Sequence, residues 1–248
     1  MVRHRQINLT RSSYWQRSEQ PLQSLIFLLP IIVLYEIGVL KYTEGKDIIA
    51  RGLLRSFFET LGVAGYHVPA VAVFVTLLCW HLARRDPWQI DLRRYVWMGG
   101  ESILLAVPLF VSSLVLFRQP PACVMAKIAN FSPTPTSGIG ELLLSLGAGV
   151  YEELLFRLIA IALLHMALYD VMKLPRRWSA GIAVAISSFA FSWYHPFSRN
   201  PFDFSRFLFY TAAGLYFAAI YLLRGFGIAA GSHAMYDVFV VVLRMQQE

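Results

Sequence analysis

Two carboxylates and a guanidinium lie close together in a long apolar stretch of the chain. Glu152 and Glu153 are adjacent, and Arg157 follows four residues after the second. A charged side chain at the centre of a bilayer costs about 2.5–3.5 kcal/mol on insertion scales, so these groups must be paired, buried in protein or used in chemistry. Glu153 and Arg157 have the spacing of an ion pair on one helical face, which is typical of a structural clamp. Glu152 lies one step around the helix and is left as the carboxylate available for chemistry.

Two later apolar stretches carry imidazole and carboxylate groups. His195 closes the first, where the structural alternative is a helix cap or an interfacial anchor, and His233 and Asp237 share one face of the second. The alternative for that pair is a polar contact that ties helices together. If the three stretches converge, a carboxylate can accept a proton from water, an imidazole can orient that water, and further donors can hold an oxyanion. Convergence therefore predicts hydrolysis by an activated water.

The order of these residues resembles a known family. Glu-Glu-x-x-x-Arg, Phe-x-x-x-His and His-x-x-x-Asp follow one another, beginning at Glu152, Phe191 and His233. They resemble the motifs of the CPBP (CAAX protease and bacteriocin-processing, or Abi) family of intramembrane proteases, whose best-known branch is the Rce1-like type II CAAX prenyl endopeptidase. The resemblance covers about residues 145–242. It implies an intramembrane endopeptidase that hydrolyses a peptide bond near the C-terminal region of membrane-anchored substrates.

The resemblance also implies roles for the individual residues of the first two motifs. Glu152 matches the general base, which activates water together with His195. Glu153 and Arg157 match a supporting ion pair, in agreement with their helical spacing. These assignments predict one chemical carboxylate and one structural carboxylate side by side.

The third motif departs from the pattern of the Rce1-like branch. His233 matches a donor on the oxyanion side, but Asp237 stands where that branch carries Asn. An ionised Asp cannot donate a hydrogen bond, so Asp237 is either protonated or orients His233 by accepting its other N–H. We predict the second role. The departure also weakens the inference of a prenyl-protein substrate.

Two imidazoles and a carboxylate could instead bind zinc. The chain has no His-Glu-x-x-His on one helix, although zinc ligands could come from three helices. The resemblance implies a glutamate-dependent mechanism without a cofactor. A zinc-dependent version of the same protease is the alternative.

Membrane-spanning helices must position these residues. The chain has 248 residues, 57% hydrophobic and 15% charged, whereas soluble domains average about 45–50% and 25%. Its apolar blocks approach the roughly 20 residues that cross a bilayer. We predict an all-α fold, a polytopic transmembrane helical bundle of about seven spans plus an amphipathic helix at 51–66, lying in the interface or across the mouth of the bundle. The spans are predicted at about residues 22–40, 68–82, 98–117, 140–172, 178–194, 204–223 and 226–243, with a tight turn at Arg224-Gly225.

Charge predicts the domain organisation and the surroundings of the protein. Residues 1–21 are predicted to be a basic cytoplasmic tail, and residues 22–248 one transmembrane domain with its catalytic core at about 140–243. The net charge of +7 is spread over short loops, which suits anionic lipid headgroups and not nucleic acid. Loop Lys and Arg favour, by a small margin, a cytoplasmic N-terminus. We therefore predict a multi-pass protein of a bacterial plasma membrane, with the lipid bilayer and a membrane-anchored protein or peptide substrate as partners and with the site opening outward.

Two non-protease functions are compatible with the same residues. In a non-catalytic immunity or scaffold protein, the polar groups would only tie helices together and would all be paired. In a transporter with a proton relay, a path would open to both faces. In a protease, Glu152 would face both histidines at a water-accessible cavity. The lone acid Glu36 in the first span is predicted to be paired structurally.

Overall fold

The computed structural model describes residues 14–43, 47–117, 138–195 and 202–246, and within these ranges the regular structure is entirely helical. The predicted all-α class is confirmed. The helices are α1 (Tyr14–Ser18), α2 (Pro21–Tyr42), α3 (Ile49–Thr60), α4 (Val68–Arg84), α5 (Leu92–Leu116), α6 (Gly138–Val171), α7 (Arg176–Tyr194) and α8 (Phe204–Met245).

Four of these helices, α2, α5, α6 and α8, are long and apolar enough to cross a membrane. The shorter α4 is also apolar. These helices identify an integral membrane protein. Helix α6 widens into π-helical turns at Leu154–Ile161, directly after the two glutamates. The carbonyl of Phe156 in that stretch accepts a hydrogen bond from the hydroxyl of Ser187 on α7 at 2.5 Å.

Helix α8 is a hairpin of two arms, residues 204–224 and 226–245. Gly225 lies between them with φ 80° and ψ 177°, a conformation that is essentially restricted to glycine. The rings of Phe217 and His233 stack with centroids 4.5 Å apart. In a straight helix they would be about 24 Å apart, so the chain must fold back at Gly225. The predicted turn at Arg224-Gly225 is confirmed.

The hairpin turn holds α1 against the bundle. Arg224 is buried, and its guanidinium binds the Glu101 carboxylate at 2.5 Å and the Ser18 hydroxyl at 2.9 Å. The guanidinium carbon also lies 3.8 Å from the ring centroid of Trp15. The end of the predicted tail is therefore part of the packed domain, while residues 1–13 lie outside the described ranges.

Helix α3 packs on the bundle through a buried charge cluster. Arg51 is fully buried; it pairs with Glu36 of α2 at 3.0 Å and with Asp47. The hydroxyl of Tyr151 on α6 donates to the same Glu36 at 2.9 Å. The predicted structural pairing of Glu36 is confirmed.

Helix α3 is predicted to lie either in the membrane interface or across the mouth of the bundle, and each placement fits one of its faces. Its Ala50 N–H donates to the hydroxyl of Tyr194 at the end of α7 at 2.8 Å, so α3 lies against the bundle there. Leu53, Phe57 and Leu61 remain exposed along another face. That face keeps the pattern of a helix at the membrane interface.

Helix α6 lies between two apolar clusters. One joins it to α2, α3 and α4 around Tyr35, Leu77 and Leu154. The other joins it to α5, α7 and α8 around Phe156 and Phe217. Glu152, Glu153 and Arg157 of α6 therefore lie where the two halves of the core meet.

Candidate active site

All six residues predicted for the site are buried and come together from three helices. Helix α6 supplies the two glutamates and the arginine, the end of α7 supplies one histidine, and the second arm of α8 supplies the other histidine and the aspartate. Each is less than a tenth exposed. The residues are Glu152, Glu153, Arg157, His195, His233 and Asp237.

Glu152 faces both imidazoles across a short gap. Its Oε2 lies 3.8 Å from Nε2 of His195 and 3.8 Å from Nε2 of His233. That oxygen is buried and makes no hydrogen bond to any described residue. Because these distances are just longer than a direct hydrogen bond, a water molecule could bridge Oε2 and either nitrogen. The Oε2 oxygen of Glu152 is therefore left without a structural hydrogen bond.

His195 is held in one orientation by the helix that it ends. Its Nδ1 lies 2.8 Å from the carbonyl oxygen of Phe191. Because a carbonyl only accepts, Nδ1 carries the proton, and Nε2 faces Glu152. The ring also stacks on Tyr210, with centroids 4.1 Å apart. His195 is thus the C-cap of α7, as the helix-cap alternative predicted, and it also lies in the site.

Glu153 contacts both Arg157 and His233. Its Oε2 is 3.0 Å from Nε of Arg157, so the predicted ion pair is formed. The Nε–H is poorly aligned with that oxygen, so the contact is an ion pair and not a hydrogen bond. Arg157 also donates to the carbonyl of Gly214 at 3.2 Å and lies 4.4 Å from the ring centroid of Phe191.

The other oxygen of Glu153 orients His233. Nδ1 of His233 donates to Oε1 of Glu153 at 2.8 Å. Asp237, which we expected to hold this N–H, instead has Oδ2 3.5 Å from the opposite nitrogen, Nε2. The geometry therefore gives the orienting role to Glu153 and places Asp237 beside Glu152 at Nε2. Spacing along one helix could not reveal this contact, because Glu153 and His233 lie on two different helices.

A cavity of about 20 Å³ adjoins the histidines, lined by His195, His233, Asp237 and several aromatic rings. A water molecule needs about 10–15 Å³ and two or more polar partners, so the cavity has room for one. Glu152 does not line it directly, and its Oε2 is linked to it through the two Nε2 atoms. The arrangement can hold a water beside a carboxylate and two imidazoles.

Gly149 lets α6 and the second arm of α8 approach closely at the site. A Cβ there would lie 2.3 Å from the backbone nitrogen of Ala234, the neighbour of His233. We expect Gly149→Ala to destabilise the protein by about 1–3 kcal/mol, the usual cost of overpacking. Gly181→Ala is the control, because that helical position has nothing within 4 Å and should gain up to about 1 kcal/mol. Unfolding in detergent measures both, and equal changes would contradict the close packing.

The zinc alternative requires three or more donor side chains around one point. Across residues 14–43, 47–117, 138–195 and 202–246, no group of three His, Cys, Asp or Glu side chains is arranged to hold a metal ion. We therefore derive no step through a metal.

The fold and the site together define a class: a helical membrane protein with a buried carboxylate–imidazole cluster. Residues 137–239 match the model of the type II CAAX prenyl endopeptidase Rce1-like family. The matched segment includes all six site residues and confirms the resemblance to this family of CAAX-type intramembrane proteases. No curated protein and no solved structure matches the chain.

Proposed function

We propose that the chain is an intramembrane endopeptidase that hydrolyses a peptide bond near the C-terminal region of membrane-anchored proteins. The observation that carries this proposal is the convergence of Glu152, His195 and His233, with room beside the imidazoles for one water. The family match over the same residues supports it.

In the proposed reaction, Glu152 acts as the general base. A water held between Glu152 Oε2 and His195 Nε2 transfers a proton to the carboxylate, and its oxygen attacks the carbonyl carbon of the scissile bond. The proton then passes from Glu152 to the leaving amine as the C–N bond breaks. The Nδ1–H of His195 donates a hydrogen bond to the carbonyl of Phe191. Its Nε2 is therefore unprotonated and can accept a hydrogen bond from the water. It therefore orients the water.

His233 is proposed to bind the oxyanion. Its Nδ1–H is fixed by Glu153, so a proton on Nε2 would point at the site and donate to the developing negative charge. Asp237 Oδ2 lies 3.5 Å from that Nε2, so its carboxylate faces the same nitrogen. Asp237 is thus proposed as a positioning residue and not as the base.

The unpaired carboxylate oxygens argue against a purely structural cluster. A scaffold would pair its buried acids, since an unsatisfied buried acceptor costs about 1–3 kcal/mol or more. Glu152 Oε2, Glu153 Oε2 and Asp237 Oδ2 all lack a hydrogen-bond partner among the described residues, but of these three only Glu153 Oε2 has a guanidinium at 3.0 Å. A transporter would need a path to both faces, and among the described residues the cavity at the histidines has room for about one water. Both features favour hydrolysis.

The C-termini of membrane proteins test the proposed activity. Membranes of cells that express the wild-type chain should contain new C-terminal peptides that are absent when Glu152→Gln is expressed at the same level. Identical sets of C-termini in the two samples would exclude the activity in those membranes.

The orientation and location are proposed from loop charge. We propose a bacterial plasma membrane, a cytoplasmic N-terminus and a site in the outer half of the bilayer. Ser198, an obvious position for a labelling test, lies outside the described residues. Two exposed alternatives are Glu59 and Arg177. With a cytoplasmic N-terminus, Glu59 follows the first span and lies outside, and Arg177 follows the fourth span and lies inside.

Single cysteines at these two positions should label differently in intact cells. With Cys79 and Cys123 replaced by serine, we expect an impermeant thiol reagent to label Glu59→Cys directly. It should label Arg177→Cys only after permeabilisation. The reverse pattern would invert the topology and place the site on the cytoplasmic side.

A further inference from the structure

A second cavity lies between α5 and the first arm of α8. Its volume is about 540 Å³, within the usual range of ligand sites. The walls are mainly apolar and include Leu116 and Leu208, which are both strongly exposed on helices long enough to cross a membrane. The groove therefore faces the surroundings of the bundle and is not a sealed void.

The groove adjoins the candidate active site at one side chain. Phe209 lines this groove and also lines the cavity beside His195 and His233. The ring is almost fully buried and packs against Phe117 and Tyr236, with ring centroids 5.3 Å and 6.4 Å away. The two cavities are thus neighbours that share Phe209 as a lining residue.

The two cavities differ greatly in size. The cavity at the histidines holds about one water and no peptide, whereas the groove could hold several side chains. A substrate that reaches the site must therefore be bound largely elsewhere. The groove is an adjoining space of suitable volume.

Polar groups along the groove suit a peptide backbone better than a hydrocarbon chain. The hydroxyls of Ser112 and Ser205 line it. Ser112 donates to the carbonyl of Pro108 at 2.7 Å, so its oxygen can still accept from a backbone N–H. Tyr216, which also lines the groove, donates to the carbonyl of Leu105 at 2.7 Å. An unwound peptide in a membrane needs such partners, because each unsatisfied backbone group costs several kcal/mol there.

We propose that the groove between α5 and α8 binds the apolar membrane segment of the peptide substrate, with Phe209 separating the bound segment from the catalytic water. This inference rests on the proposed endopeptidase function and adds where the substrate is held. Side chains of the segment lie among Leu116, Leu208 and Ala212. The scissile bond reaches the histidines when the ring of Phe209 moves aside.

Photo-crosslinking tests the groove without requiring hydrolysis. The probe is a synthetic peptide of about 20 Leu and Ala residues, the length that crosses a bilayer, with a benzophenone side chain at its centre. The full chain carrying Glu152→Gln is reconstituted with this peptide, irradiated and digested. We expect the crosslinks to concentrate on Leu116, Leu208 and their neighbours. An even distribution over the lipid-facing helices would overturn the proposal.

Two tryptophan variants of the same arm serve as a matched pair. Ala212 lines the groove, and Ala219, seven residues further, is on the same side of the helix but does not line it; both are exposed. Ala212→Trp should reduce crosslinking to the groove about tenfold, and Ala219→Trp should leave it unchanged. Equal crosslinking in both variants would contradict the assignment.

A lipid probe tests the remaining alternative, in which the groove binds a lipid acyl chain. Phosphatidylcholine with a benzophenone on one acyl chain should label the groove much less than the peptide does. Equal or stronger labelling by the lipid would make the groove a lipid site and would overturn the proposal. None of these crosslinking experiments depends on cleavage. The groove assignment can therefore fail while the protease activity is present, and the protease assignment can fail while the groove still binds the peptide.

Discussion

Replacing Glu152 with glutamine is expected to lower peptide hydrolysis by about 10²–10⁴-fold, the contribution of a positioned general base. The substitution keeps the shape of the side chain, but an amide cannot accept a proton from water. Because Oε2 makes no hydrogen bond to any described residue, the exchange breaks no hydrogen bond of that atom. The variant should therefore fold, and its unfolding midpoint in detergent should stay close to that of the wild type. Turnover of a cleaved membrane peptide measures the effect.

Asp237→Asn is the matched control for the loss of one buried carboxylate. Asp237 also has an unpaired oxygen and also lies near Nε2 of His233, at 3.5 Å. Its proposed role is to support His233, and the resemblance implies that an amide is compatible with this position. We expect a loss of less than about tenfold. A large loss in Asp237→Asn with retained turnover in Glu152→Gln would exchange the two roles.

Arg157→Ala should cause the second large effect, on stability. Removing one partner of a buried ion pair typically costs about 3–5 kcal/mol, because the other charge is left buried and uncompensated. Glu153 and Arg157 are both fully buried, and Glu153 also holds His233. The loss of the guanidinium should therefore lower the free energy of unfolding and disturb the orientation of His233. Unfolding by denaturing detergent, followed by circular dichroism, measures the first effect.

Arg55→Ala provides the comparison at the surface. Arg55 and Glu59 have the same helical separation as the buried pair and a 2.8 Å contact, but both side chains are largely exposed. Exposed pairs contribute about 0–1 kcal/mol. If the two arginine variants lose equal stability, burial is not what makes the ion pair between Glu153 and Arg157 important.

Patterns along one helix predicted much of the structure. The apolar blocks predicted the helical class, and the spacing of Glu153 and Arg157 predicted their ion pair. Arg224-Gly225 predicted the turn, since a glycine can adopt the positive φ that the hairpin needs. These features depend on residues that are neighbours in the sequence, so their spacing carries the information.

Contacts between helices were not predictable in the same way. The bond of Glu153 to His233, the burial of Arg51 and the hydrogen bond from Ala50 to Tyr194 each join distant segments. Helical spacing placed Asp237 next to His233 but did not show which ring nitrogen it faces. The seven predicted spans also remain a prediction, because length and hydropathy alone select four helices, one of them a hairpin of two arms.

Incorporation of oxygen from water tests the central claim most directly. The purified chain, treated with a chelator, is incubated with solubilised membrane proteins in H₂¹⁸O, and new C-terminal carboxylates are analysed by mass spectrometry. We predict ¹⁸O-labelled C-termini with the wild-type chain and none above background with Glu152→Gln. Equal labelling by both proteins would contradict the role of Glu152. Activity that is lost with the chelator and restored by zinc would show that the reaction requires the metal.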